Sequence, residues 1–318
     1  MPNESLTEKF FIHAFAKRFH LFDDTLSNCF RVFHGPGDGV NGLTIDMYNE
    51  YLLVQYFDRS IIIDDALKSV IIKAANEFPQ PIRGILIKNR IKETQVKDFH
   101  ELRKSELLFG ELPETNYLVK QNDVTVDVDL INGQSTGLFL DMREVRNALQ
   151  SIYSPDMFLL NLFSYTGIFS IHALLCGIKS AINVDLSSTV LKRAKNNYVL
   201  NNLNYDERDF IAGDAPYWVR RLQRMNKKFS FIVLDPPTFS RNKNKSFSVK
   251  KDYSKVLHTI HEICDGYVLS SINSYSVTEK EYRNYHPSSW KLELFMNESE
   301  DFTHQGNPYL KVGLWKVF

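Results

Sequence analysis

The most informative stretch of this chain is an apolar run that breaks once and then resumes at a different period. Phe158 to Phe163 carries no turn residue and alternates on neither face, as a strand buried on both sides of a parallel sheet does. It breaks at Ser164-Tyr-Thr-Gly167. Apolar positions return at Ile168, Ile171, Leu174 and Leu175, a helical spacing that stops at Gly177. Strand, tight turn and helix predict the ligand-binding corner of a doubly wound sheet.

Downstream the same beat repeats. Strands are predicted over Ala181 to Val184, Phe210 to Gly213, Phe229 to Leu234 and Tyr267 to Leu269. Helices fall between them: one capped by Ser187, one around Trp218 to Leu222, and one over Tyr253 to Cys264. Strand-like pieces near Leu292 and from Leu310 to Phe318 suit an antiparallel edge. Upstream the pattern differs. Cys29 to Phe33, Gly42 to Tyr48, Tyr51 to Phe57 and Ile82 to Ile87 read as strands, with a turn cluster at His34 to Gly39. Phe10 to Phe19 and Ile61 to Phe78 read as helices, the second stopped by Pro79 and Pro81. Val124, Val126 and Val128 alternate after Tyr117-Leu-Val, predicting a hairpin that turns at Gln121-Asn-Asp123. The expected organisation is a small α+β domain over 1–115, a hairpin linker over 116–142, and an α/β domain with a mostly parallel seven-stranded sheet over 143–318.

Composition narrows the class. Thirty-eight basic and 38 acidic residues give a formal net charge of zero, so no global basic signature marks a nucleic-acid binder. Locally the balance shifts. Ala215 to Leu234 holds Arg220, Arg221, Arg224, Lys227 and Lys228 with no acid. The stretch from Arg241 to Lys255 holds Arg241, Lys243, Lys245, Lys250 and Lys251 besides Lys255, against one acid, Asp252. Either patch is a phosphate-contacting surface or a solvated charged face. Three unevenly spaced cysteines suit a reducing cytosol, and no apolar run approaches the roughly 20 residues of a membrane helix. The expected location is cytoplasmic. His258, His261 and Cys264 share a helix but turn progressively off one face, which disfavours a metal site.

The corner after Phe158 carries only Gly167, not the glycine-rich turn that a dinucleotide pyrophosphate requires. A phosphate-free ligand such as S-adenosylmethionine fits that lack. Asn161, Asp185, Asp214 and Asp235 fall near the C-terminal ends of successive strands, where ligands of open α/β sheets bind. Asp185 is placed for ribose hydroxyls and Asp214 for an adenine amino group, unless each is a helix N-cap. Asp235-Pro236-Pro237-Thr238-Phe239 leaves a strand as a stiffened edge, suited to holding a flat, extruded base or serving as a plain strand-ending turn.

Asn161-Leu-Phe-Ser-Tyr-Thr-Gly167, Asp235-Pro-Pro-Thr-Phe-Ser240, Thr136-Gly-Leu-Phe-Leu-Asp-Met-Arg143 and Gly39-Val-Asn-Gly-Leu-Thr-Ile-Asp46 together resemble the bacterial large-subunit (23S) rRNA methyltransferases. The resemblance implies a class I S-adenosylmethionine-dependent (Rossmann-like) fold acting on rRNA or a pre-ribosomal particle. It implies cofactor contacts at Phe163, Ser164, Tyr165, Thr166 and Gly167, joined by Asn161, Asp185 with Leu186, and Asp214 with Ala215. It implies a catalytic face at Asp235, Pro236, Pro237 and Thr238. The basic run after that loop, read from its charge alone, offers RNA contacts at Arg241, Lys243, Lys245, Lys250 and Lys251. Ile168 stands where many relatives carry a second glycine, and the N-terminus is too short for the PUA domain with which many begin. The resemblance puts Asn273 where cytosine-C5 members carry their cysteine, and the Thr-Phe-Ser form is closer to the guanine-N7 branch. Guanine N7 is therefore the expected target, against cytosine C5 or a degenerate fold that only binds RNA.

Overall fold

The computed structural model describes residues 8–91, 104–133, 135–237, 239–241, 246–304 and 306–318. The chain divides into two compact units, Met1–Asp141 with Ser299–Gly306, and Met142–Glu298 with Asn307–Phe318.

The first unit is built on a five-stranded sheet, β1 (Cys29–His34), β2 (Leu43–Tyr48), β3 (Tyr51–Tyr56), β4 (Gly84–Asn89) and β5 (Glu106–Gly110), in that spatial order. Only β3 and β4 run parallel, because α3 (Asp65–Ala75) crosses between them. Asp64 caps α3 by accepting the Leu67 N–H, so the helix starts later than the apolar spacing from Ile61 predicts. Phe11 and Phe15 of α1 (Glu8–Ala16) pack with Leu67, Ile71 and Ala74 of α3 over Phe30, Val32, Ile45 and Val54. The turn cluster after β1 is a one-turn helix, α2 (Gly35–Asp38).

The hairpin of β6 (Tyr117–Gln121) and β7 (Val124–Val128) turns through Asn122 and Asp123, both left-handed at φ 52° and 63°, as a two-residue hairpin loop requires. It belongs to the first unit rather than forming a separate linker: Asn28 and Lys120 exchange backbone and side-chain hydrogen bonds, and Gln121 is fully buried.

Buried Arg18 explains why Ser299–Gly306 belongs here as well. Its guanidinium donates to the Ala14 carbonyl, Asp38 Oδ2, Thr303 Oγ1 and, twice, the Asp301 carbonyl, at 2.7–3.0 Å. Asp301 in turn accepts the Arg31 N–H at 2.7 Å. A buried arginine must be paired, and half of its acceptors lie more than 280 residues away in sequence. The α/β domain expected over 143–318 is thus interrupted, a long-range feature that local periodicity does not carry.

The second unit begins with α4 (Arg143–Leu149) and holds the seven-stranded sheet. Its strands are β8 (Phe158–Leu162), β9 (Ser180–Asp185), β10 (Phe210–Ala212), β11 (Phe229–Leu234), β14 (Cys264–Asn273), β15 (Lys291–Met296) and β16 (Leu310–Lys316). A short hairpin, β12 (Phe239–Arg241) with β13 (Ser246–Ser248), intervenes. The order β10-β9-β8-β11-β14-β16-β15 makes the first five parallel, with β16 antiparallel to both neighbours. The helices α5 (Ile168–Leu175), α6 (Ser188–Leu200), α7 (Ala215–Arg224) and α8 (Val249–His261) connect them, and α9 (Glu279–Asn284) precedes β15. The fold is a doubly wound, mostly parallel α/β sheet with an antiparallel edge, as expected. Cys264 opens β14 instead of ending a helix, and β14 is ten residues long rather than the short Tyr267–Leu269 expected. Its polar serines interrupt the apolar run, but both are buried between β11 and β16.

Candidate active site

Ile211, Val184, Leu162, Leu234 and Ser270 form one register row across five neighbouring strands. The next residue on each strand is Ala212, Asp185, Phe163, Asp235 or Ser271, so these five stand side by side where the sheet ends. The chain leaves β8 toward β9 on one side, while β11 lies on the other. That is the switch point at which such sheets bind ligands.

The turn after β8 is unusual in its backbone. Phe163, Tyr165 and Gly167 have φ of 58°, 49° and 79°, three left-handed residues in five. Glycine alone adopts that state without steric cost, so the surroundings must hold the other two. Ser164 N–H donates to the Val184 carbonyl at 3.0 Å, and Tyr165 N–H donates to Asp185 Oδ2 at 3.0 Å. The other Asp185 oxygen accepts the Ser187 N–H at 2.9 Å. Asp185 thus pins the turn to the end of β9, and Ser187, not Asp185, caps α6.

Beneath the turn runs a buried polar chain. The Asn161 amide donates to Ser170 Oγ at 3.0 Å, Ser170 donates to Asn183 Oδ1 at 2.7 Å, and the Asn183 amide donates to the Tyr198 hydroxyl at 2.9 Å. Burial pushes the Tyr198 phenol up to about 12, so it stays protonated. Asn197 donates to the Thr166 carbonyl at 3.1 Å. Asn161 and Thr166 are buried and shape the turn from within.

Two groups are suited to a bound molecule. The Ser164 hydroxyl is buried yet has no hydrogen-bond partner in the protein, which in a native site calls for a ligand or water. Leu186, next to Asp185, is 48% exposed despite its apolar side chain. A polar, phosphate-free ligand with a flat apolar part fits this donor set. Asp214 is the N-cap of α7, accepting the Tyr217 N–H at 2.8 Å, and Ala215 is buried as the first helical residue. Gly213 before them is required by packing, since a Cβ there would stand 2.3 Å from Trp218 Nε1.

On the other side of the switch point, Asp235 accepts a hydrogen bond from the Ser271 hydroxyl, and the Ser271 carbonyl accepts the Tyr253 O–H at 2.9 Å. Tyr253 and Ser271 are buried, so the carboxylate is held from behind. Neither residue is singled out by sequence; two adjacent serines in a buried strand were the available signal. Pro236 is buried and Pro237 exposed, and Asn273 is exposed at the end of β14. The loop beyond Asn273 is fixed by Lys311, whose ammonium donates to the carbonyls of Ser274 at 2.9 Å and Pro308 at 2.6 Å.

Thr238, Lys243 and Lys245 lie outside the described residues. The backbone of Arg241 lies in β12, and those of Lys250 and Lys251 in the first turn of α8, later in sequence than the Pro-Pro edge. Among the described residues no group of three His, Cys, Asp or Glu is arranged to hold a metal ion, and no helix is long and apolar enough to cross a membrane. His261 accepts the Trp290 indole N–H at 3.0 Å, and His258 donates to the Ser254 carbonyl at 2.7 Å.

The sequence model of the S-adenosylmethionine-dependent methyltransferase family matches residues 31–282. YwbD of Bacillus subtilis, provisionally named a ribosomal RNA large subunit methyltransferase, is 32% identical over 91% of this chain and 73% of its own. Ribosomal RNA large subunit methyltransferase I of Alteromonas mediterranea is 31% identical over 84% of this chain and 66% of its own. The crystal structure of SMU.776, provisionally named a methyltransferase and complexed with SAH, superposes with a TM-score of 0.84 at 27% identity, covering 99% of this chain and 83% of that one.

Proposed function

Since the chain belongs to the S-adenosylmethionine-dependent methyltransferase family, we propose that it methylates large-subunit ribosomal RNA, and that the accepting atom is guanine N7. The observation that carries the RNA reading is similarity, over 91% and 84% of the chain, to two proteins named for that substrate. The cofactor supplies an activated methyl group when bound. Asp185 and Asp214 would hold its ribose and adenine ends, with Leu186 against the ring and Ser164 bonding a polar group in the turn. Asp235, Pro236 and Pro237 form the rigid edge that aligns the base, with Thr238 the residue that follows. Asn273 bonds the base edge. Arg241, Lys243, Lys245, Lys250 and Lys251 contact phosphates beside it.

The choice of atom rests on where the thiols are. Cytosine C5 becomes nucleophilic only after a thiolate adds to C6, so that reaction needs a cysteine against the base. The chain has three. Cys29 lies in the other unit, and Cys176 follows the far end of α5. Cys264 starts β14, roughly 30 Å of extended chain from Asn273 at about 3.3 Å per residue. Burial pushes the Cys264 thiol up to about 12, which keeps it protonated. Guanine N7 has an in-plane lone pair and needs only alignment with the methyl group.

The test is nucleoside mass spectrometry of 23S rRNA from a strain lacking the protein, after incubation with purified enzyme and cofactor. 7-Methylguanosine is the expected product, and Asn273→Ala should slow its formation without abolishing it. 5-Methylcytidine, or a covalent adduct with 5-fluorocytosine-containing RNA, would overturn the N7 assignment. Modification of no rRNA nucleoside would overturn the substrate.

A further inference from the structure

The first of the two basic stretches has a place in the fold that the methyl-transfer site does not use. Helix α7 buries Ala215, Val219 and Leu222 against the sheet and exposes Arg220, Arg221 and Arg224. Asn226, left-handed at φ 53°, ends it, and exposed Lys227 and Lys228 follow. No acidic residue occurs between Ala215 and Leu234, in a chain whose charges cancel overall. The five cations are not equivalent. Arg221 lies over the Trp218 ring at 4.8 Å, and Lys228 donates to the Glu262 carbonyl at 2.9 Å. Arg220, Arg224 and Lys227 have no carboxylate partner among the described residues. Arg220 and Arg224 lie one helical turn apart and Lys227 follows the helix end; such exposed cations repel one another, and a polyanion relieves that repulsion.

Their position sets the kind of polyanion. The helix leaves the ligand end of the sheet at Asp214 and runs back about 15 Å over its ten residues at 1.5 Å each. Its last turn and Lys227 therefore lie toward the opposite edge, where β11 begins. Beside α7 packs α8, which begins at Val249, after the β12–β13 hairpin that follows the Pro-Pro edge in sequence, and carries exposed Lys255. A phosphate backbone crossing α7 is led along α8 toward that edge.

We infer that Arg220, Arg224 and Lys227 form an anchoring surface for the phosphodiester backbone of RNA that extends well beyond the nucleotide being methylated. This rests on the RNA reading above and adds a size requirement: the enzyme engages long RNA at two places and a short oligonucleotide at one.

The test compares wild type with the triple variant Arg220→Gln, Arg224→Gln, Lys227→Gln, which spares the two cations with structural contacts. Binding is measured against transcribed 23S rRNA and against a 12-nucleotide RNA, from 50 to 200 mM salt, with cofactor affinity by calorimetry as the check on folding. Each lost phosphate contact lowers the salt slope by about 0.7–0.9, so three lower it by about 2.1–2.7, and the wild-type advantage on 23S rRNA shrinks about 20- to 40-fold across that range. Binding of the 12-mer and of the cofactor should stay unchanged, and Arg220→Lys with Arg224→Lys should retain the wild-type slope. A wild-type slope in the triple variant would overturn the surface while leaving the RNA reading intact. Equal losses on both RNA lengths would place these cations at the reaction site and overturn the remote anchor. If the wild type itself binds neither RNA at 50 mM salt, the RNA reading fails first.

Discussion

At the scale of single residues, two strand-end carboxylates of the proposed site, Asp185 and Asp214, are bound to backbone N–H groups. Asp185 holds the N–H groups of Tyr165 and Ser187, so replacing it both removes a charged acceptor and releases the turn. Asp185→Ala should weaken cofactor binding by about 2–3 kcal/mol, or roughly 30- to 150-fold by calorimetry; unchanged affinity in a folded variant would remove the cofactor from this corner. Ser271→Ala takes from Asp235 the hydroxyl that orients it. Turnover should drop about tenfold while cofactor affinity holds, the split that a positioning role produces. The places of Asp185, Asp214 and Asp235 at strand ends were legible in the sequence because each closes or follows an apolar strand. Ser271 and Tyr253 were not, since their pairing exists only once β11 and β14 are neighbours. Nor was Ser164's unpaired hydroxyl, or the left-handed state of Phe163 and Tyr165, for neither residue type announces it.

At the scale of elements, the turn between β8 and α5 concentrates the cost of the fold. Gly167 is left-handed, and a Cβ there would meet the Ala194 Cβ at 3.2 Å. Gly167→Ala should destabilise the second unit by about 1–2 kcal/mol, read as a lower urea midpoint, with weaker cofactor binding from the displaced turn. A midpoint at or above wild type would show that the turn is not under this constraint. Elements with strong periodicity were legible: β8, β9, β11, α5 and the β6–β7 hairpin all follow from apolar spacing and turn chemistry. Those missed lack that signal. β5 is exposed along most of its length and shows no alternation. α9 has only six residues, although Thr278 and Glu281 form a reciprocal capping box that marks its start.

At the scale of the whole molecule, buried histidines tie stability to pH. Burial holds His34 and His286 down at about 3 and His172 at about 4, with Arg31 adding to the effect at His34 and Arg146 at His172. All three lie below the ordinary value near 6.5 that they regain on unfolding. The stabilisation is therefore complete above about pH 6.5 and is lost as pH falls toward the folded values, by about 1.4 kcal/mol per pH unit for each histidine. Urea midpoints should decrease from pH 7 to pH 5, with roughly three protons taken up on unfolding at pH 5; a flat profile would contradict the neutral, buried assignment. The alternation of strands and helices made the α/β class legible from sequence, whereas the return of Ser299–Gly306 to the first unit was not, because the partners of Arg18 are joined only in three dimensions.

That return sets an order of events during synthesis. Asp301 is translated about 160 residues after Asp141, some 8–30 s later at about 5–20 residues per second. Until then Arg18 has Asp38 and the Ala14 carbonyl, but not the acceptors at Asp301 and Thr303. The amino-terminal unit, first to leave the ribosome, is thus among the last to be finished, and it waits while the sheet of the second unit is made. Ribosome-bound chains arrested before Ser299 should be cleaved by protease within residues 8–141 more readily than chains arrested after the full sequence has emerged. Equal resistance in both would mean that the unit closes without its final segment.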